Sequence, residues 1–577
     1  MDYQQQKVAQ MILRTVVLAA VVSSAAGPVA AQPAAQSDSH AITSAQGDAV
    51  IRTLLEAIAA SPRDAALYAR LSQTYASLGS AEAALRAIEA ALALEPGRAD
   101  YIRARATLAT WSGDYRGARD SYLQLEALYP DDLEIALALA RVSAWSGDTD
   151  RAVNQYKRYL QKNASNGPVW LELARAESWR GNYAGAIEAL TTYKVRAGET
   201  QTYVTELAAV LAASGRPGKA EDLLTPLLAQ SPLDYDLNLT HALALGRQQR
   251  AKAAFESLDT VRQLSPDGPQ TRTAERVLRT LLGSSADAPF SSYTDSDALN
   301  VQRIAPRAVV ALNSGTRLSG GYERSRLEAR SGSGLDAVDG QTSANYEHLW
   351  ASAAQRVGAI TATGQLGYAT GNQHVSTTYG FGIDARVADS LRFTLSRASG
   401  PFVISPRTVD LGLTAVSQRA QIDWTPALRY QVLVDASFQD LSDGNRRWEV
   451  TLSPRRAIAR RAGFNLDLGA TAYRLETTRD LDHGYYDPRY YEYYAAGIYP
   501  YIKVRENVGL ALTAALGVQR DNTEPSFHFG GNVSGEATFG IYRPWVVKVN
   551  GSATLNGRLE SGAFRAFGIG AALVRRF

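Results

Sequence analysis

The apolar positions of this chain follow two different periods. Between residues 301 and 577, short segments alternate apolar and polar residues one by one. Between residues 64 and 282, small and apolar residues recur at helical spacing. The first pattern predicts a β-sheet domain and the second an array of helical repeats. One phrase marks the helical repeats: Trp111-Ser112-Gly113-Asp114, Trp145-Ser146-Gly147-Asp148 and Trp179-Arg180-Gly181-Asn182.

The tryptophan positions 111, 145 and 179 give a repeat of 34 residues. Glycine supplies a turn between two helices, and alanine allows antiparallel helices to approach closely. The spacing resembles the tetratricopeptide repeat, a helix-turn-helix unit of this length. About six units fit, and Gln249 in place of the last glycine is typical of a terminal capping repeat. The repeated small residues are Gly79, Gly113, Gly147, Gly181 and Gly215, then Ala84, Ala118, Ala152, Ala186, Ala220 and Ala254, and Ala106, Ala140, Ala174, Ala208 and Ala242.

The repeated tryptophans Trp111, Trp145 and Trp179 each end the first helix of a unit. Our first interpretation is that they pack between helices, because large aromatic side chains dominate helix interfaces. The alternative is a row of exposed side chains that contact a partner protein. The three tryptophans are therefore the candidates for a partner surface on the solenoid.

The N-terminus has the pattern of a secretory signal. Lys7 and Arg14 precede an apolar run at residues 15–26, and Val29-Ala30-Ala31 is a small-residue cleavage site. We expect residues 1–31 to be removed, with an uncleaved anchor as the alternative. Residues 32–63 are expected to form a flexible leader and an amphipathic capping helix at 48–60, ahead of a solenoid at 64–282.

The second half of the chain predicts a transmembrane antiparallel β-barrel at residues 301–577, after a linker at 283–300. Many alternating runs reach nine residues, the length that a tilted strand needs to cross a bilayer. The strands of a soluble sandwich can be shorter. An even number of strands is required, between 14 and 16 with 16 preferred. The terminal Phe577 resembles the signal by which the assembly machinery recognises outer-membrane barrels, although Arg575 occupies a position that is usually apolar.

Parity within the strands predicts which side chains line the barrel. Polar residues between outward apolar positions face a lumen, although any water-filled barrel has a charged interior. The mixture of charges favours a polymer without strong net charge. The candidates for the lumen are Asp384, Arg386, Arg392, Asp435, Glu449 and Asp467.

Tyrosines are concentrated between residues 485 and 501. One interpretation is an aromatic girdle at the membrane interface with a loop beside it. The other is a set of platforms on which sugar rings stack, since aromatic faces suit the C–H surfaces of pyranoses. The candidates are Tyr485, Tyr486, Tyr490 and Tyr491.

Composition narrows the function classes. The balance of 60 Lys+Arg against 57 Asp+Glu argues against a nucleic-acid partner, and the absence of cysteine excludes disulfides and thiolate metal sites. The six histidines have no metal-ligand spacing, and neither a nucleophile elbow nor a phosphate loop is present. We predict no enzymatic activity, no metal and no cofactor, with a barrel-embedded hydrolase using His348 and His374 as the alternative.

Two motifs carry a more specific resemblance. Asp443-Gly444-Asn445-Arg446 and Gly484-Tyr485-Tyr486-Asp487-Pro488 resemble segments of cellulose exporters. From about residue 48 to its end, the chain resembles the outer-membrane subunits of exopolysaccharide systems, such as the cellulose synthase outer-membrane subunit and the poly-N-acetylglucosamine porin. Smaller barrels of the YaiO type are also possible relatives.

The resemblance implies a function and a location. The chain would export a biofilm exopolysaccharide passively through an outer-membrane barrel in a Gram-negative bacterium. Its periplasmic repeats would dock proteins of polymer synthesis or modification. The alternative is a periplasmic scaffold that the barrel only anchors, in which case the barrel would be narrow and filled with side chains.

Overall fold

The computed structural model describes residues 44–312, 315–461, 463–505, 507–556 and 564–577. The expected signal peptide at 1–31 and the first part of the leader lie outside the described residues. None of the described helices is long and apolar enough to cross a membrane.

The first half of the described chain is a row of fourteen helices in which each helix packs against its neighbours in sequence. This arrangement is a tetratricopeptide-type solenoid, as the 34-residue period predicts. The helices are α1 (Ser44–Ala60), α2 (Ala65–Ser77), α3 (Ala81–Leu94), α4 (Ala99–Trp111), α5 (Tyr115–Leu128), α6 (Leu133–Trp145), α7 (Thr149–Lys162), α8 (Gly167–Trp179), α9 (Tyr183–Ala197), α10 (Gln201–Ala213), α11 (Pro217–Gln230), α12 (Tyr235–Arg247), α13 (Ala251–Leu264) and α14 (Pro269–Leu282).

The repeated residues have the physical roles that their types suggest. The alanines of the column from Ala84 to Ala254 are 0% exposed, so any larger side chain would push two helices apart. The repeated glycines, such as Gly147 at φ +87°, adopt the left-handed conformation in the turn, and Gln249 follows them with φ +62°. Asp148 then caps the next helix by accepting a hydrogen bond from the backbone N–H of Arg151.

The second half is a single antiparallel sheet closed on itself. Its strand segments are β1 (Ser285–Asp295), β2 (Leu299–Ile304), β3 (Arg307–Ala311), β4 (Thr316–Ala329), β5 (Ser343–Val357), β6 (Ile360–Gly371), β7 (His374–Ala388), β8 (Leu391–Pro401), β9 (Thr414–Ala427), β10 (Tyr430–Leu441), β11 (Arg446–Arg461), β12 (Phe464–Thr477), β13 (Tyr491–Arg505), β14 (Val508–Asp521), β15 (His528–Phe539), β16 (Trp545–Asn556) and β17 (Phe564–Arg576). A short helix, α15 (Pro406–Asp410), lies between β8 and β9.

The barrel has sixteen strands, which confirms the preferred prediction. Segments β2 and β3 are two parts of one strand, because both pair with β1 on one side and with β4 on the other. The break falls at Ala305 and Pro306, where proline offers no N–H. The sheet closes where β1 pairs with β17 from Ser285↔Arg576 to Asp295↔Ala566.

The expected linker at 283–300 is wrong, because these residues contain β1 and the start of β2. The outward face of β1 carries Ala286, Ala288, Phe290 and Ser292, so small and polar side chains hide the usual alternation. Backbone hydrogen bonds to β17 hold the strand instead. The barrel therefore begins immediately after α14.

The two faces of the barrel differ as the alternation predicts. One face carries large apolar side chains that are widely exposed, while the opposite face carries glycine, polar and charged residues. A band of exposed apolar residues on a closed sheet is typical of a surface in contact with lipid. Its most exposed members include Leu349, Leu366, Phe381, Leu516, Phe529 and Ile569.

The solenoid contacts one end of the barrel, which we call the solenoid end; the other is the far end. Arg317, beside the β3–β4 turn, donates hydrogen bonds to Gln249 (2.9 Å) and to the carbonyl of Leu281 (3.1 Å). Asp389, in the β7–β8 turn, accepts from the N–H groups of Gly218 and Lys219.

A third contact lies farther around the rim. A Cβ atom built on Gly181 would lie 3.8 Å from Cδ of Arg460, at the end of β11. Four strands, β4–β7, separate the first two contacts, and four more, β8–β11, separate the second from the third. The solenoid therefore touches the rim at intervals across half of the sixteen-stranded ring.

Candidate functional site

The inner face of the barrel contains all six residues that parity assigned to it. Within the strands the charges are arranged as neighbouring pairs of opposite sign, so they cancel locally. The N···O distances are 2.5 Å for Asp384 with Arg392, 2.7 Å for Asp435 with Arg419, 2.8 Å for Glu449 with Arg447 and 2.6 Å for Asp467 with Arg460. Arg386 instead donates to the carbonyl of Arg247 in the solenoid, at 3.3 Å.

A column of tyrosines runs along the inner face of β13. Residues two apart on a strand share a face, so Tyr491, Tyr493, Tyr499 and Tyr501 all face the lumen, with Ala495 and Gly497 between them. From 491 to 501 the strand rises about 33 Å, which is the thickness of a bilayer core. We call these four residues and Tyr473, which lies opposite Tyr493 on β12, the tyrosine ladder.

The far-end rungs of the tyrosine ladder touch each other. The ring centroids of Tyr473 and Tyr491 lie 5.9 Å apart. The Tyr473 hydroxyl donates to Glu449 (2.9 Å), and the Tyr491 hydroxyl donates to Gln519 (2.6 Å). These bonds fix the orientation of both rings on the barrel wall.

Tyr499 lies over glycines. A Cβ atom at Gly469 or Gly497 would lie 3.0 or 2.9 Å from the tyrosine side chain, so only glycine leaves room for it. The guanidinium of Arg455 lies 3.8 Å from the ring centroid, which is a cation–π contact. The ring is therefore held against the wall by its neighbours.

The wall of β14 to β17 carries small luminal side chains. Residues there include Thr513, Ser534, Ser552 and Gly568, which line a recess of about 380 Å³. Short side chains leave space inside a sixteen-stranded barrel, which is wide enough for an aqueous channel. The lumen thus has a tyrosine-rich wall beside a polar wall of short side chains.

Loops meet over the far end of the barrel. Val409 of α15 packs against the inward residues Leu327, Tyr346 and Ala369, so the β8–β9 loop folds into the mouth. Arg407 donates to the carbonyls of Asp336 (3.0 Å) in the β4–β5 loop and of Asp482 (3.1 Å) in the β12–β13 loop. Eight strands, β5–β12, separate those two loops, so Arg407 links opposite sides of the ring.

One of the two motifs that resemble exporter segments lies in the β12–β13 loop and the other in the β10–β11 loop, and hydrogen bonds join them. The side-chain amide of Asn445 donates to the hydroxyl of Tyr485, which in turn donates to Asp443 at 2.7 Å. Burial opposes ionisation of Asp443, but hydrogen bonds from the Asn445 N–H, His483 and Tyr485 hold its pKa below the usual range. Asp487 is also buried, and burial raises its pKa.

The tyrosines proposed as sugar platforms are placed differently from one another. Tyr485 is 6% exposed, and Phe402 meets its ring edge-on at 5.2 Å, so its role is to hold the loops together. Tyr486 is exposed, and its ring lies 6.0 Å from that of Tyr491. Tyr490 is partly exposed just ahead of β13. Of the four, Tyr491 belongs to the tyrosine ladder.

The packing interpretation of the repeated tryptophans is wrong for two of them. Trp111 is 57% exposed and Trp179 is 55% exposed. Trp145 does pack, with its ring 5.4 Å from that of Tyr115. The exposed rings remain candidates for a partner surface.

The luminal residues Tyr493, Tyr499 and Tyr501 belong to the tyrosine-rich segment predicted from the sequence, but they were not singled out within it as site candidates. The signal was present, because these residues share parity within the tyrosine-rich segment, but a girdle and a loop explained that segment equally well. The described residues contain no group of three His, Asp or Glu side chains placed to hold a metal ion.

Comparison with known proteins finds one family and several structures. The model of the tetratricopeptide repeat matches residues 146–210. No curated protein matches the chain. A structure described as a bacterial polysaccharide outer membrane secretin is 14% identical and covers 51% of this chain and 98% of its own, with a TM-score of 0.43.

Two solved repeat proteins are also similar. A tetratricopeptide repeat protein from Parabacteroides merdae is 16% identical over 41% of this chain and 93% of its own, with a TM-score of 0.34. MamA is 17% identical over 27% of this chain and 90% of its own, with a TM-score of 0.24. The fold and the lumen define the class: a tetratricopeptide-type solenoid joined to a closed sixteen-stranded β-barrel.

Proposed function

We propose that this chain is an outer-membrane porin that passively exports an exopolysaccharide of the cellulose or poly-N-acetylglucosamine type. The tyrosine ladder is the observation that carries the proposal. Aromatic faces stack on the C–H faces of pyranose rings without needing charge on the sugar. A column of such faces along the full height of β13 offers a moving chain one stacking site after another, so no single site traps it.

The lengths of the loops indicate which end of the barrel faces the periplasm. The turns at the solenoid end are short, for example residues 358–359 and 389–390, whereas the far end has the longer loops at 330–342, 402–413 and 478–490. Outer-membrane barrels have short periplasmic turns and longer extracellular loops. The solenoid end would therefore face the periplasm, where the repeats could receive a polymer.

The solenoid would dock proteins of polymer synthesis or modification. Tetratricopeptide-type solenoids present extended surfaces to partner proteins. Trp111 and Trp179 support this role, because large exposed aromatic side chains are enriched at protein interfaces. Transport needs no catalytic step in this chain, since a polymer pushed from the synthesis side moves passively.

The test is conductance of the purified full chain in planar bilayers, with cello-oligosaccharides or N-acetylglucosamine oligomers added. We expect an open channel that these sugars block. Tyr493→Ala should raise the half-blocking concentration about fivefold, because one aromatic contact contributes about 1 kcal/mol. Tyr368→Ala is the matched control, since Tyr368 lies on the outward face and is 53% exposed.

The anchored scaffold is the competing function. A barrel that conducts no ions even after the far-end loops are opened would favour the scaffold over export. Sugar block that is the same in wild type and Tyr493→Ala would also favour it. The experiment requires the whole barrel, because a fragment beginning at residue 300 lacks β1 and cannot close the sheet.

A further inference from the structure

The junction between the solenoid and the barrel encloses free volume. Two cavities adjoin there, of about 780 Å³ and about 490 Å³. The first lies between α11 and the turns of the solenoid end, and the second lies inside the mouth against α12 and α14. Arg356 and Arg386 line both cavities, so the two form one region, which we call the junction pocket.

Positive charge in the junction pocket is not balanced locally. Six of the eight cations that line the junction pocket have no carboxylate within 4.0 Å among the described residues. The other two, Arg250 and Arg392, pair with Glu221 and Asp384, as Arg419 and Arg447 pair with Asp435 and Glu449 farther along the lumen. The carboxylates that line the pocket are fewer. The six cations are Arg216, Lys219, Arg247, Arg317, Arg356 and Arg386; the carboxylates are Asp222, Asp384 and Asp389.

Two of the three carboxylates already have partners. Asp384 pairs with Arg392. Asp389 accepts both N–H groups at the start of α11, at 2.9 and 2.8 Å, and so occupies that helix terminus. Electrostatic attraction of an anion therefore comes from the arginine side chains rather than from the N-terminus of α11.

Among these cations, Arg356 gives the clearest evidence that a hydrogen-bond acceptor is missing from the pocket. Its Nε atom is buried and has no hydrogen-bond partner among the described residues. A buried donor left without a partner costs free energy, and a guanidinium is shaped to hold a carboxylate through two parallel N–H groups. Arg356 stands at the point where the two cavities meet.

We propose that the junction pocket binds acidic groups on the transported chain, so that the cargo is a pyranose polymer bearing carboxylates, as uronic acids or acidic substituents. This inference rests on the proposed export function and replaces the expectation of a weakly charged polymer. Because the cations extend from Arg216, just before α11, to Arg317 in β4, they match charges repeated along a chain better than a single ion. A basic, half-enclosed mouth also raises the local concentration of an anionic chain.

The test compares sugar block in bilayers for the full chain and for Arg356→Gln/Arg386→Gln. Oligoglucuronate and cello-oligosaccharides of equal length are the probes, at low and high salt. We expect oligoglucuronate to block wild type at a concentration at least tenfold lower than the neutral sugar, and the double variant to lose that advantage. Block by the neutral sugar should not change.

Arg505→Gln/Arg543→Gln is the matched control, because it removes two exposed charges at the same end of the barrel but outside the junction pocket. It should keep the preference for oligoglucuronate. A stable open channel in all three proteins without sugar establishes that each barrel is folded, whatever its absolute conductance.

Three results would overturn the proposal. Neutral and acidic sugars that block wild type equally would reject the acidic cargo while leaving export intact. Block by glucuronate monomer or inorganic phosphate at the same concentration as the oligomer would assign the pocket to a small anion. Failure of both sugar series to block any of the proteins would reject the export function itself.

Discussion

The side-chain amide of Asn445 donates a hydrogen bond to the hydroxyl of Tyr485, 3.0 Å away, and both residues are buried. The bond joins segments 40 residues apart, one in the β10–β11 loop and one in the β12–β13 loop. The same amide donates to the carbonyl of Arg479, and the tyrosine hydroxyl donates to Asp443. The two motifs that resemble exporter segments are thus the two halves of one far-end structure.

Tyr485→Phe should loosen this structure. The substitution removes the donor to Asp443 and the acceptor for Asn445 while keeping the ring, so we expect a loss of about 1–3 kcal/mol in local stability. Faster cleavage of the 478–490 loop in limited proteolysis would show it. Tyr490→Phe is the control, and similar cleavage of both variants would contradict the assigned hydrogen bonds.

The same cluster should weaken in acid. The pKa of Asp443 is lower in the folded loops than the usual value of about 4, so the ionised carboxylate contributes stability above that value. That stability is lost as the pH falls below about 4 through the lowered pKa. Proteolysis of the far-end loops should accelerate over this range, and Asp443→Asn should flatten the dependence.

Asp487 provides the opposite control for the acid experiment. Its raised pKa means that the folded loops favour the protonated carboxyl, so its contribution is lost as pH rises through that pKa. Asp487→Asn should therefore leave the acid weakening in place. An identical pH profile for the two variants would show that Asp443 is not the responsible group.

Much of the architecture could be predicted, because it is written in periodicity. The 34-residue repeat specifies the solenoid, and strict alternation places Asp384 and Asp435 on the inner face. Strand β1 could not be predicted, because its outward face has little apolar character and long-range pairing with β17 holds it. The contact of Asp389 with α11 could not be predicted from the sequence either, because it joins residues about 170 positions apart through backbone N–H groups.

The left-handed glycines of the solenoid give a test of the repeat. Gly147 has φ +87° and open space around it, so Gly147→Ala adds no clash and costs only backbone strain, about 1 kcal/mol. Helix circular dichroism during unfolding of the full chain should show the loss. Gly97→Ala is the control, because Gly97 has equal space and no positive φ. Equal effects would mean that conformation at this column does not matter.

The capping of α11 by Asp389 should hold the solenoid on the rim. Asp389→Ala leaves the N–H groups of Gly218 and Lys219 without their acceptor, and a helix cap contributes about 1 kcal/mol. Hydrogen exchange at these amides should become about fivefold faster. Asp222→Ala, on the same helix, should leave their exchange unchanged. Unchanged exchange in Asp389→Ala would show that the junction does not depend on this cap.

Arg407 should control access to the far end. Its side chain bonds to the β4–β5 and β12–β13 loops, and its salt-bridge distances are 3.8 Å to Asp336 and 3.3 Å to Asp482. Because these loops lie on opposite sides of the ring, Arg407→Ala removes the link that spans the mouth. A loss of about 2 kcal/mol would raise the ratio of open to closed channels about thirtyfold.

Single-channel recordings of the full chain would measure this population directly. Arg330→Ala is the control, since Arg330 is exposed on the β4–β5 loop and its side chain has no hydrogen bond among the described residues. If Arg407→Ala leaves the conductance unchanged, limited proteolysis of the loops distinguishes two explanations. If the loops become cleavable while conductance stays at the wild-type level, they do not obstruct the path. If neither property changes, Arg407 does not hold the loops together.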